Sequence, residues 1–85
     1  MAEFIKPLPV EQRIRIEEVD RIIEGLNKEM RNNPYEDSWT IYLHQGYIRL
    51  SEMELKYLIK KAGLAGYKLI SGPGHKDYTY TISIP

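Results

Sequence analysis

Eighty-five residues, 42% of them hydrophobic and 28% charged, bound one small folded domain with room for a single core. The chain has no cysteine, which excludes disulfide staples, thiolate zinc sites and a cysteine nucleophile together, and no apolar run has signal-peptide or bilayer-spanning length, so the expectation is a cytoplasmic protein without a membrane partner. Its formal charge is zero but unevenly divided, with six basic and nine acidic residues in 1–39 against six basic and three acidic in 40–85, an excess that favours an anionic partner for the second half only if it gathers on one surface.

Residues 1–8 read as an extended N-terminal arm, because Pro7 and Pro9 disfavour helix at the residues before them; residues 9–85 then form the domain. Pro9 suits a first helical position. From it a helix is expected to run to about residue 31, with Ile16, Val19, Ile23, Leu26 and Met30 at alternating steps of three and four and Ile22 widening the stripe. Glu17 with Arg21 and Glu24 with Lys28 have ion-pair spacing on the other faces. Gly25 inside the helix costs about 1 kcal/mol relative to alanine, and one use for it is close approach of another backbone. The stripe fits packing on the protein's own sheet; a homodimer through helix 9–31 is the alternative, although two heptads are short for a coiled coil.

After the polar connection PYEDS, the run from Trp39 to Leu43 alternates as a strand, with Tyr42 pointing away from the core. His44, Gln45 and Gly46 suit a turn, and residues 47–50 a short second strand. Ser51 and Glu54 have capping-box spacing at the start of a second helix. Leu55, Leu58, Ile59 and Ala62 make its expected buried face, Lys60 and Lys61 complement its C-terminal dipole, and Gly63 or Gly66 ends it. Residues 67–84 read as a hairpin with Tyr78, Tyr80, Ile82 and Ile84 inward and Thr79, Thr81 and Ser83 outward. Its connection, SGPGHKD, has the glycines and proline that a chain reversal needs. The expected fold is α+β, in the order α-β-β-α-β-β, with an antiparallel sheet carrying two helices on one face.

Catalytic constellations are absent from the sequence pattern. His44 and His75 lie far apart with no HxH, HExxH or neighbouring carboxylate triad, so neither a metal nor a cofactor is expected. Glu52 and Glu54 point in different directions on a helix, and Glu36 with Asp37 lies in a connection. The serines lack a nucleophile-elbow context, and the glycines of GPGHK precede no helix that would hold phosphate.

The stretch ELKYLIKKAGLAGYKLISGPGHKDYTYTISIP resembles the part of HicA-type ribonuclease toxins in which a helix ending in glycine leads to a strand, a glycine-rich turn with a histidine, and a strand ending near proline. The resemblance covers about 32 residues and implies a catalytic role for His75. It departs from the family at Gly74, where a serine is usual, and at the strand and terminal helix that would follow Pro85.

Taken together, these features lead us to expect a non-enzymatic binding protein that acts on another protein as inhibitor, adaptor or regulatory subunit, in the style of an accessory protein from a phage or other mobile element. Seven tyrosines and one tryptophan supply the amphipathic contact area that interfaces favour. The partner-binding candidates are Tyr42, His44, Lys60, Lys61, Lys68, His75 and Lys76. A winged-helix-like reading, with helix 51–63 and hairpin 67–84 on nucleic acid, is the alternative that uses the same lysines.

Overall fold

The computed structural model describes residues 2–7, 9, 13–73 and 78–85, with Pro73 described in its backbone alone. The elements are α1 (Ile16–Asn32), β1 (Ser38–Tyr42), a 3-10 turn (Leu43–Gln45), α2 (Glu52–Leu64), β2 (Lys68–Pro73) and β3 (Tyr78–Ser83). The sheet has three antiparallel strands in the order β1-β3-β2, so β1 and β2 run parallel to each other on either side of β3. Residues 2–7 carry no regular structure, and Phe4 and Ile5 among them are fully exposed.

Strand register sorts the side chains into two faces. Trp39, Ile82 and Leu69 share one row and Ile41 and Tyr80 another, and all five are buried. The intervening rows, Ser38–Ser83–Lys68, Thr40–Thr81–Ile70 and Tyr42–Thr79–Gly72, form the opposite face, where the Thr40 and Thr81 hydroxyls lie 2.9 Å apart. The alternation of period two therefore places serine, threonine and tyrosine outward as expected. Both helices cover the apolar face, α1 through Val19, Ile22 and Leu26 and α2 through Leu58 and Ala62.

Several local expectations change. The main helix begins at Ile16 rather than Pro9, because Arg15 holds φ −81° and ψ 84° while its backbone N–H donates to Glu54 Oε2 at 2.7 Å. Its buried stripe centres on Val19, Ile22 and Leu26, leaving Ile16 exposed and Ile23 half-buried. On α2, Glu54 replaces Ile59 in the buried face: Glu54 is 1% and Ile59 42% exposed. Neither Glu17–Arg21 nor Glu24–Lys28 closes to an ion pair; among the described residues the close pairs are Arg15–Glu54 and Lys56–Glu52.

Residues 47–50 do not form the expected strand. Two of their backbone groups are held instead by one side chain, since the Tyr80 hydroxyl donates to the Ile48 carbonyl and accepts from the Leu50 N–H, each at 2.8 Å. Burial raises the Tyr80 phenol's pKa above its ordinary value of 10.0. The preceding turn ends at Gly46 with φ +97°, a left-handed conformation that glycine adopts without a Cβ penalty. Gly66, at φ +90°, similarly follows the end of α2, whereas Gly63 lies inside the helix.

Candidate functional site

The capping box at the head of α2 forms as expected: Ser51 Oγ accepts from the Glu54 N–H at 3.2 Å, and Glu54 Oε1 accepts from the Ser51 N–H at 2.9 Å. The same carboxylate also receives Arg15 Nε at 2.9 Å and Arg15 Nη2 at 2.6 Å. Hydrogen bonding to Arg15 is the main reason that the Glu54 pKa falls from 4.5 to about 2, against the upward pull of burial. The Arg15 donors on this carboxylate fasten the start of α1 to the start of α2. Glu54 and Tyr80 are thus committed to holding the fold.

The partner-binding candidates separate in space. Tyr42 is 39% exposed at the end of β1, its ring centroid 5.3 Å from that of His44. By register Tyr42 stands opposite Thr79 and Lys68 opposite Ser83, at opposite ends of the sheet. Lys60 and Lys61 are exposed on α2, with Lys61 Nζ 5.4 Å from the Tyr57 ring centroid. His75 and Lys76 lie outside the described residues. Of these candidates, Tyr42 and His44 are brought together, at the end of β1.

A stronger candidate lies where the helices diverge. A groove of about 400 Å³ runs between α1 and α2 over the edge of the sheet, lined by Ile23, Leu26 and Met30 from α1, Leu58, Ala62 and Ala65 from α2, and Tyr67, Leu69 and Ile82 beneath. Asp20, Glu24 and Asn27 stand on the α1 rim and Lys61 on the α2 rim. Helical spacing produces this division, since positions 23, 26 and 30 follow one another on one flank while 20, 24 and 27 lie one step further toward solvent. Ile23 and Met30 read from the sequence as core, and only the splay of α2 reveals that they are half open.

The groove suits apolar burial, and its charged groups, Asp20, Glu24 and Lys61, are exposed. Among the described residues no three His, Asp or Glu side chains gather to hold a metal ion, and no helix is long and apolar enough to cross a membrane. Between β1 and β2 stand one α-helix and one 3-10 turn, where a winged helix has two helices.

In comparisons with known proteins, no family model, curated sequence or solved structure matches the chain.

Proposed function

We propose that this chain is a non-enzymatic binding module acting on another protein, as inhibitor, adaptor or regulatory subunit, and that the groove between α1 and α2 takes a short apolar segment of that protein. The observation that carries this reading is the groove's composition: an aliphatic and aromatic floor bordered by Asp20 and Glu24. An apolar floor with a polar rim is the anatomy of a protein-recognition surface. The acidic rim on α1 calls for a lysine or arginine beside the partner's apolar anchors, because a charge of opposite sign both attracts the segment and fixes its direction.

Peptide selection on the immobilised protein tests this. Enriched sequences should carry two or more aliphatic or aromatic anchors with a basic residue, and should bind at least about tenfold more weakly, a loss of 1.4 kcal/mol, to Met30→Glu and to Ala65→Glu. Ala65 is exposed just beyond the last turn of α2, so its substitution leaves the core alone. No enrichment, or enriched peptides indifferent to both variants, would refute the groove as the binding site.

A further inference from the structure

The opposite flank of α1 carries a second cleft, of about 320 Å³, walled by Arg21, Lys28 and Arg31 from the helix and by Gln45 and Tyr47 from the loop after β1, with Gly25 at its base. We propose that this cleft binds the phosphodiester backbone of a single-stranded nucleic acid, an activity separate from the protein-binding groove.

The cleft is furnished almost wholly with donors. The two guanidinium groups and the ammonium can only donate, and none of the three has an ion-pair partner within 4.0 Å among the described residues. The Gln45 side-chain oxygen is occupied by the Tyr42 N–H at 3.0 Å, which leaves its NH2 end for a ligand. The Tyr47 hydroxyl has no hydrogen bond within the described residues. Glu24, on the ridge between cleft and groove, is the one acidic group in the lining. A concave surface with this inventory selects an anion.

Its length and its aromatic component identify which anion. Arg21 and Arg31 are ten residues apart on one helix, about 15 Å at 1.5 Å per residue; a nucleic-acid strand in helical stacking presents a phosphate about every 3.4 Å. One phosphate would engage one end of this row, whereas a strand engages all three cations. Gly25 brings the two walls together: it has no side chain, and a Cβ there would overlap the Tyr47 phenol, so the ring lies directly on the helix. The Arg21 guanidinium reaches the same loop, its Nη2 in ordinary van der Waals range of where a Cβ on Gly46 would stand. A line of cations beside an aromatic ring is the combination that holds single strands without reading their sequence.

Fluorescence anisotropy of a labelled single-stranded oligonucleotide of about 12 nucleotides, a length matched to known site sizes, decides the matter. With three phosphate contacts, log K should fall with log salt at a slope of about −2, or roughly 20-fold weaker binding between 50 and 200 mM. Arg21→Gln, Lys28→Gln and Arg31→Gln should each lower the slope by about 0.7, and the triple variant should lose measurable binding. Lys60→Gln with Lys68→Gln, on other surfaces, should leave binding unchanged, as should the groove variants Met30→Glu and Ala65→Glu. Absence of binding by the wild type at 50 mM salt, or equal binding by the triple variant, would overturn the proposal. So would displacement by pyrophosphate or a poly-glutamate peptide as effective as that by unlabelled oligonucleotide at equal charge.

Discussion

Where α1 faces α2, Ile23, Leu26 and Met30 continue the core outward into the groove; where it faces the loop after β1, Arg21, Lys28 and Arg31 stand around a base created by the missing side chain of Gly25. Both flanks belong to the same seventeen-residue helix, separated by the ridge at Glu24. The groove is an extension of packing, so its shape and the stability of the fold are the same quantity. The cleft is made of long, exposed side chains around a rigid helix and loop, so its chemistry can change with little effect on folding. A small domain can thus alter one flank freely while the other is constrained by the core.

The largest expected effect falls on the clasp that sets the groove's geometry. Glu54→Ala removes the partner of Arg15 and half of the capping box, and should cost about 3 kcal/mol in denaturant unfolding, from the lost cap and the lost charged hydrogen bonds, since the Arg15 side chain left behind is 54% exposed and turns to water. The clasp also has a pH signature. The folded-state pKa of Glu54 is lowered from 4.5 to about 2, so its stabilisation is fully present above the unfolded value and is lost as pH falls from 4.5 toward 2. Wild type should lose on the order of 3 kcal/mol over that window from this group, a step that Glu54→Gln lacks. Equal acid sensitivity of the two proteins would contradict the assignment.

Leu26→Ala is of comparable size, at about 2–5 kcal/mol, because Leu26 is buried in the core and also lines the groove. If calorimetry shows a loss well below 1 kcal/mol, α1 is not held by this contact. Tyr80→Phe should cost about 1–3 kcal/mol, since the Ile48 carbonyl and Leu50 N–H each lose their partner. The smallest effect sharpens the contrast between flanks: Arg21→Gln, Lys28→Gln and Arg31→Gln are exposed substitutions and should each shift stability by no more than about 0.5 kcal/mol. A large loss would mean that the cationic flank, too, holds the fold.

These contrasts also explain what could be read in the sequence. Periodicity located both helices and all three strands, and the Ser51–Glu54 spacing marked the α2 start, because each depends on neighbours a few residues apart. The Arg15–Glu54 clasp joins residues 39 apart and the Tyr80 anchor residues 30 and 32 apart, distances that no local pattern reports. That is why 47–50 read as a strand: its alternation was real, but its backbone partner is a distant phenol. The groove was hidden because Ile23 and Met30 carry the same apolar signal whether covered or open. Arg21, Lys28 and Arg31 were visible at helical spacing, yet nothing in the sequence brought Gln45 and Tyr47 to face them.

The hydrogen bond between the Trp39 indole and the carbonyl of Asn33, 2.8 Å long, joins the first core position of β1 to the residue that closes α1. Trp39 is the chain's one tryptophan and is 8% exposed, so its emission colour is an optical gauge of a single mechanical event, the seating of the C-terminal end of α1 against the sheet. A red shift that precedes the loss of helical circular dichroism would show α1 lifting away as an intact rod; simultaneous changes would show the helix melting as it leaves.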